Sequence, residues 1–242
     1  MPRNAVKCEE CTAKKVWQDL FQTHMEERFD LLSEQGAPTG VSCARSEVHA
    51  CGFYHKAVHI WVVCPSTGEV VLQKRASHKD SWPSLWDVSS AGHVSSGETP
   101  LPSALRELEE ELGLVVAAPR LEYAFTHLER ASSLQNGKQF INNEFQDVFI
   151  LAVTPQERAS LDPSGAVLRE GPLPSESIYG EADTLPPLSQ FVLQASEVSA
   201  VQWVPLERLE AMYRGKDPTI VPWDTDEDLD RLLGALKSRC AK

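Results

Sequence analysis

The segment from residue 92 to residue 114 reads Gly-His-Val-Ser-Ser-Gly-Glu-Thr-Pro-Leu-Pro-Ser-Ala-Leu-Arg-Glu-Leu-Glu-Glu-Glu-Leu-Gly-Leu. Thr99 is a good N-cap residue, Pro100 suits the first helical position, and Gly113 suits the position just after a helix. Between them, leucine and alanine recur with helical periodicity, so one face of the helix can pack on a sheet. The segment therefore predicts an amphipathic helix from about residue 100 to residue 112.

Three carboxylates lie together beside that apolar face, at Glu107, Glu110 and Glu111. Like charges at this spacing repel, at a cost of roughly 0.2–0.5 kcal/mol per pair, and no Lys or Arg follows four residues later to relieve them. One interpretation is a solvated acidic face. The other is a site for Mg²⁺ or Mn²⁺, which prefer carboxylate oxygens and can hold a diphosphate.

The charge balance excludes one class of partner. The 242 residues carry a net charge of −12, with no run of Lys and Arg that could follow a phosphate backbone, so we expect no nucleic-acid polymer as partner. The apolar runs are too short to span a membrane, and the N-terminus lacks the apolar core of a secretory signal. We therefore expect a cytoplasmic protein without a membrane partner, in an oligomeric state that the sequence leaves open.

The chain divides into an N-terminal extension at 1–24 and a single domain at 25–242. Strands are expected at 55–64, 70–75, 145–153 and 198–204, because these segments are rich in β-branched and aromatic residues. A Pro-rich stretch at about 155–187 is interpreted as an inserted loop. Cys8 and Cys11 have the spacing of half a zinc site but no second pair, so the role of that segment stays open.

The helical segment resembles the Nudix box at every fixed position: Gly92, Glu98, Arg106, Glu107, Leu108, Glu110, Glu111, Gly113 and Leu114. The resemblance implies the Nudix fold, an α/β (α+β) arrangement in which a mixed β-sheet is sandwiched between α-helices. It implies Mg²⁺ or Mn²⁺ as cofactor, with four metal ligands: Glu107, Glu110, Glu111 and the Gly92 carbonyl. Glu98, Arg106 and Gly113 are implied as structural residues of the box.

A narrower resemblance covers most of the chain from about residue 26 to residue 240. It is to the Nudix proteins related to isopentenyl-diphosphate isomerase, including the Nudix domain of plant Nudix hydrolase–peptidase fusions. It rests on the segments 45–49, 55–59, 81–87, 90–93 and 197–201. By this resemblance, substrate or metal contacts are implied at His49, His55, His93, Glu144 and Trp203.

Two positions depart from the isomerase pattern. Ala91 stands at the place of a catalytic cysteine, and Asn142 stands where a glutamate is expected. Because an alanine cannot transfer a proton, isomerase chemistry by that route is disfavoured. His59, in the middle of an apolar strand, is better interpreted as a hydrogen-bonded core residue than as a ligand.

We therefore predict a divalent-metal-dependent hydrolase that cleaves a small organic or prenyl diphosphate, such as isopentenyl diphosphate, or a nucleoside diphosphate derivative. The alternatives are an isomerase-like enzyme and a non-catalytic binding module with the same fold. Arg106 joins the predicted catalytic set, in which Glu110, Glu111 and Glu144 are the candidate bases. Lys74 and Arg75, at a strand end, are the candidate cations for the outer phosphate.

Overall fold

A computed structural model describes residues 26–135, 137–171, 185, 187–223 and 225–240. The N-terminal extension, with Cys8 and Cys11, lies outside the described residues. The strands are β1 (Arg28–Leu32), β2 (Pro38–Ala44), β3 (Tyr54–Cys64), β4 (Glu69–Arg75), β5 (Trp86–Asp87), β6 (Ser90–His93), β7 (Leu121–Gln135), β8 (Lys138–Ala152), β9 (Val167–Arg169), β10 (Val192–Gln194) and β11 (Val198–Pro205). The helices are α1 (Arg45–Cys51), α2 (Pro100–Leu112), α3 (Pro155–Ser160), α4 (Leu206–Arg214) and α5 (Asp226–Cys240).

Strand β3 is the centre of a mixed nine-stranded sheet. One edge of β3 pairs in parallel with β8, which in turn pairs antiparallel with β7. The other edge of β3 meets β1, β6 and β4 at successive positions, each of them antiparallel. Strands β9 and β10 form a separate parallel pair. The short strand β6 is thereby held against the middle of the sheet, directly before the box helix α2.

The two faces of the sheet are covered by different helices. Helix α2 packs Leu108 and Leu112 into one apolar cluster with alternate residues of β3, such as Val58. Helices α4 and α5 pack into a second cluster on the other face, with Trp61 of β3. The predicted mixed sheet between helices is confirmed. No helix in the described part of the chain combines the length and the apolar character needed to cross a bilayer.

The box helix begins and ends where the sequence predicts. Thr99 is its N-cap residue, and Gly113 follows it in the left-handed conformation, with φ of 69°. A side chain at residue 113 would also lie 2.6 Å from the Cβ of Val192, so both backbone conformation and space favour glycine there. After Gly113, the chain stays in the core through the buried Leu114 and Val116 and leads into β7.

The interpretation of residues 155–187 as a loop is wrong for its first part. Thr154 and Glu157 form a capping box that starts α3, and Val167–Arg169 pairs with β10. Leu161 is fully buried in the cluster beneath α2. The prolines misled because Pro155 occupies the first turn of a helix, where no backbone donor is required.

We expect Leu161→Ala to lower the free energy of unfolding by about 2–5 kcal/mol, the range for emptying a buried leucine site. Leu168→Ala, at a residue that is 56% exposed, is the matched control and should change stability by less than about 0.5 kcal/mol. Chemical denaturation measures both values. Equal effects of the two variants would contradict the packing of this segment against the domain.

Candidate functional site

Helix α2 directs Glu111 into the protein beneath β6. The Glu111 Oε2 atom accepts hydrogen bonds from the Ser90 hydroxyl (2.7 Å), the Ala91 backbone N–H (3.1 Å) and the Gln73 amide (3.3 Å). All three donors converge on one carboxylate oxygen. Because a carboxylate has two oxygens with several lone pairs, Oε1 remains available for a further partner.

Gly92 gives Glu107 its place beside β6. A Cβ atom at residue 92 would lie 2.0 Å from the Cδ atom of Glu107, so the carboxylate occupies the space that any larger residue would fill. The backbone of Gly92 and the carboxylate of Glu107 are therefore in direct contact. This is the arrangement needed if the Gly92 carbonyl and Glu107 are to share one ligand.

Arg106 joins the parts of the box. Its guanidinium donates hydrogen bonds to Glu107 (2.8 Å), Glu110 (3.1 Å), the His93 carbonyl (3.2 Å) and Glu98 (3.4 Å). Burial alone would lower the pKa of Arg106, but these three carboxylates outweigh it and raise the pKa. The Ser103 hydroxyl donates to Glu98 (2.7 Å), which fixes the loop before the helix. Arg106 therefore contacts both the helix and the loop before it, and the resemblance implies a structural role for it in the box.

The carboxylates of the box repel one another in the protein alone. Burial raises the pKa of Glu111 to about 7. Burial, followed by the charge of Glu111, raises the pKa of Glu107 well above its usual range. Two buried carboxylates with raised pKa values indicate a site in which positive charge is in deficit. The hard oxygen donors and the shortage of cations fit a divalent metal.

The raised pKa predicts how Glu111 affects stability. The folded protein holds the proton on Glu111 more tightly than the unfolded chain does, because the folded pKa is higher. This difference stabilises the fold most below pH 4.5, the usual pKa of the group. The stabilisation is lost as the pH rises toward 7. Glutamine does not titrate. In metal-free buffer, we therefore expect the melting temperature of Glu111→Gln minus that of the parent protein to grow from about pH 5 to about pH 8. A constant difference would contradict the raised pKa.

Three histidines from different elements meet on the other side of β6. His49 comes from α1, His55 from β3 and His93 from β6, and one ring nitrogen from each lies within 4.8 Å of the others. The Glu144 carboxylate of β8 contacts His93 Nε2 (3.0 Å) and His55 Nε2 (3.4 Å). Nε2 of His49 is buried with no hydrogen-bond partner among the described residues. These four side chains form what we call the histidine cluster.

The pKa shifts in the histidine cluster favour binding of a cation. Burial lowers the pKa of His93, and burial together with the neighbouring imidazoles lowers the pKa of His49 to about 3. Burial would raise the pKa of Glu144, but the hydrogen bonds from His55 and His93 hold it well below its usual range. Neutral imidazoles beside a charged carboxylate are the form in which these side chains bind metal.

A chain of amides supports Glu144 from behind. Gln146 donates to Glu144 (3.0 Å) and to Glu129 of β7 (2.8 Å). Asn142, at the position where the isomerase resemblance implies a glutamate, donates to the same oxygen of Glu129 (2.8 Å). A carboxylate is therefore present near this position, but it comes from the neighbouring strand.

The remaining predicted residues lie apart from the cluster. Arg75 donates to Asp87 (3.0 Å) and to the Ser81 carbonyl (3.0 Å), and the Lys74 ammonium lies 5.8 Å from the Trp86 ring. Trp203 donates to the Leu161 carbonyl (2.9 Å) and packs in the cluster on the α2 face. Trp203 is thus on the α2 face of the sheet, apart from the histidine cluster, and its contact with substrate stays a prediction.

The sequence reasoning missed Trp223 and His127. Their rings stack 5.2 Å apart on the face of the sheet that also carries Ala91. Trp223 follows a proline in the connection between α4 and α5, so no periodic pattern marks it. A tryptophan beside a proline close to the C-terminus was the one available signal.

Comparisons with known proteins agree with this geometry. A model of the NUDIX domain matches residues 53–170. The chain is 40% identical over 215 residues to Nudix hydrolase 3 of Arabidopsis thaliana, covering 89% of this chain but 24% of that protein. It is 34% identical over 141 residues to the isopentenyl-diphosphate Delta-isomerase of Kocuria rhizophila, covering 56% of this chain and 72% of that protein.

A solved structure supports the fold alone. The Deinococcus radiodurans protein DR0079 aligns with a TM-score of 0.50 and 20% identity, over 89% of this chain and 100% of that one. The chain spans about a quarter of the length of the Arabidopsis relative. The fold is therefore common to this chain and DR0079, whereas activity has to be argued from the residues of the site.

Proposed function

The chain belongs to the Nudix family, and we propose that it is a divalent-metal-dependent hydrolase of small diphosphates. Its substrate would be a small organic or prenyl diphosphate, such as isopentenyl diphosphate, or a nucleoside diphosphate derivative. The observation that carries the proposal is the contact of Glu107 with the Gly92 backbone beside the buried Glu111. The carboxylates of Glu107 and Glu111 therefore both lie against the short strand β6, and both have raised pKa values.

The residues that would hold Mg²⁺ or Mn²⁺ are Glu107, Glu110, Glu111 and the Gly92 carbonyl. The histidine cluster would hold a second ion, because one ring nitrogen from each histidine lies within 4.8 Å of the others and Nε2 of His49 has no hydrogen-bond partner among the described residues. When bound, divalent ions neutralise a diphosphate and lower the pKa of water. Arg106 keeps Glu107 and Glu110 in position through its two shorter carboxylate contacts.

Proton removal falls to a carboxylate of the site. Glu111 is one candidate, since its carboxylate is buried beside β6, where it accepts from the backbone N–H of Ala91, next to Gly92, and burial raises its pKa to about 7 in the protein without metal. Glu110 is more exposed, and Glu144 is held ionised by its histidines. These three remain the candidates for the general base. Lys74, at the end of β4, is the candidate contact for the outer phosphate, since the neighbouring Arg75 forms a salt bridge with Asp87.

The two alternatives are disfavoured by particular residues. Ala91 offers no proton donor at the place where the isomerase resemblance implies a cysteine, and it packs against the apolar cluster below α4 and α5. A non-catalytic module would not need a full set of box carboxylates at an electrostatic cost. The isomerase alternative predicts a different product from the hydrolase, and the non-catalytic module predicts no product.

The test is turnover of a panel of diphosphates with Mg²⁺ in ¹⁸O-labelled water. We expect isopentenyl diphosphate or another small member of the panel to release a phosphate-containing product that carries ¹⁸O, with no dimethylallyl isomer. Faster appearance of the dimethylallyl isomer would establish isomerase chemistry instead. Cation binding without phosphate release from any member would favour the non-catalytic module.

A further inference from the structure

Phe29 of β1 is a fully buried residue whose ring lies against the histidine cluster. The ring is nearly parallel to those of His93 and His55, with centroids 4.5 Å and 5.1 Å away and interplanar angles of 18° and 7°. It meets the ring of His49 nearly at a right angle, with centroids 6.2 Å apart. One phenylalanine therefore packs against all three histidines, at distances typical of aromatic pairs.

The orientation of these rings decides whether the histidines can share an ion. The lone pair of an imidazole nitrogen lies in the plane of the ring, so a ring that turns directs its lone pair elsewhere. His55 Nδ1 lies 3.1 Å from the Phe53 carbonyl, which fixes one point of the ring but leaves its plane free to turn. The flat face of Phe29 removes that freedom, because a stacked ring in a close-packed interior cannot turn without overlapping its neighbour.

The next residue, Asp30, holds the loop that precedes the box helix. Its carboxylate accepts one hydrogen bond from the Ser96 hydroxyl (2.6 Å) and one from the Gly97 backbone N–H (2.9 Å). These hydrogen bonds, chiefly that of Ser96, lower the pKa of Asp30, so its charged carboxylate accepts at both oxygens near neutral pH. The backbone of Phe29 also pairs with that of Ser95.

Phe29 and Asp30 hold the two ends of one short segment. It starts at His93, in the histidine cluster, and ends at Glu98, which accepts from Arg106 of the box helix (3.4 Å). Successive side chains of a strand point to opposite faces, which allows Phe29 to reach the start of this segment and Asp30 to reach the loop at its end. Strand β1 therefore links the histidine cluster to the box through two adjacent residues.

We propose that Phe29 and Asp30 are positioning residues for the reaction: Phe29 keeps the planes of the histidine rings turned toward one ion, and Asp30 keeps the loop where Glu98 can hold Arg106. Both act through other side chains, and both lie outside the box. The inference rests on the proposed function, since it assigns the residues that support the two ion sites. Replacing residues that orient metal ligands typically costs about 10–100-fold in metal affinity or activity.

Calorimetric titration of the metal-free protein with Mn²⁺ tests Phe29. The binding step that is lost in His49→Ala belongs to the histidine cluster. We expect Phe29→Leu, which keeps an apolar side chain but removes the flat ring, to weaken that step by about tenfold or more. Phe125→Leu is the matched control, because Phe125 is also buried but packs in the cluster covered by α4 and α5. It should bind Mn²⁺ as the parent protein does.

Thermal melts of the two variants separate lost stability from lost positioning. A similar fall in melting temperature in Phe29→Leu and Phe125→Leu is expected, since each empties part of a buried aromatic site. If Phe29→Leu does not fold, Phe29→Met carries the test, because methionine fills irregular space with a flexible chain and presents no flat face.

Hydrogen exchange and phosphate release test Asp30. In the metal-free protein, Asp30→Ala should speed exchange of the Gly97 N–H by about tenfold or more, because its acceptor is gone. With Mg²⁺ and the best substrate of the panel, it should lower kcat by about tenfold or more and change KM less. Glu34→Ala, at an exposed residue just after β1, should change neither property. The losses in Ser96→Ala and Asp30→Ala should be non-additive, because the two side chains are in contact.

The outcomes separate this inference from the hydrolase. Mn²⁺ binding at the histidine step that is as tight in Phe29→Leu, or in Phe29→Met in its place, as in Phe125→Leu would overturn the role of Phe29, as would the loss of no step in His49→Ala. An unchanged kcat in Asp30→Ala would overturn the role of Asp30. Release of phosphate from no member of the panel by the parent protein would overturn the hydrolase, while calorimetry and hydrogen exchange would still decide whether Phe29 and Asp30 position the two sites.

Discussion

Replacing Glu111 by glutamine is expected to lower turnover by about a thousandfold or more, while the protein keeps its fold. Glutamine can still accept the hydrogen bonds from Ser90 and the Ala91 N–H through its carbonyl oxygen. What it loses is the charge that would neutralise a metal ion and the basicity that would take a proton. Metal-free stability should hold or rise, because one of several repelling carboxylates has gone.

Glu110→Gln should behave in the same way, with a smaller gain in stability, because its carboxylate is partly exposed and pairs with Arg106. Glu109→Gln is the matched control on the same helix, since Glu109 is outside the predicted metal set. Steady-state phosphate release and metal-free thermal melts measure both properties. Activity within a few-fold of the parent in Glu110→Gln and Glu111→Gln would show that the metal assignment is wrong.

The box helix could be predicted from sequence because its determinants are local. Pro100 and Gly113 mark its ends through backbone conformation alone, and its apolar face follows from periodicity. The strands at 55–64, 70–75 and 198–204 were predicted for the same reason, since β-branched residues are concentrated there.

Elements that depend on distant contacts were not predicted. Strand β7 carries Glu122, His127, Glu129 and Arg130 among its apolar residues and is recognised only by its long pairing with β8. Helix α1 has no side-chain cap, and it was not predicted. At 155–169, the prolines are typical of a loop, but the capping box of Thr154 and Glu157, which is also visible in the sequence, starts a helix. Loop composition is thus weaker evidence than a specific capping pattern.

The site also contains contacts that local sequence predicts and contacts that depend on distant segments. The contact of Arg106 with Glu110 follows from their spacing on one helix, whereas Glu98 of the preceding loop is implied as its partner in the box only by the resemblance. The meeting of His49, His55 and His93 depends on three separate elements and was expected only through a resemblance. Trp223 reaches the face of Ala91 from a connection near the C-terminus, which no local pattern reveals.

Gly92→Ala tests the contact on which the proposed function depends, and we expect it to lower turnover by about a hundredfold or more. The added methyl group would overlap the Glu107 carboxylate, which would have to leave β6. The backbone at residue 92 does not have a positive φ, so alanine adds no conformational strain there. The stability cost should be about 1–3 kcal/mol, the usual range for overpacking.

A double variant separates displacement of the carboxylate from general damage to the strand. Glu107→Asp withdraws the carboxylate by one methylene, so it should be harmful in the parent protein but relieve the overlap in Gly92→Ala. We therefore expect the double variant to be no less active than Gly92→Ala, and the two effects to be non-additive, because the residues are in contact. Gly234→Ala in α5, where a methyl group meets nothing within 4 Å, controls for the substitution itself. Independent, additive losses would mean that Gly92 serves the strand alone, and that the site of the diphosphate has to be sought at the histidine cluster.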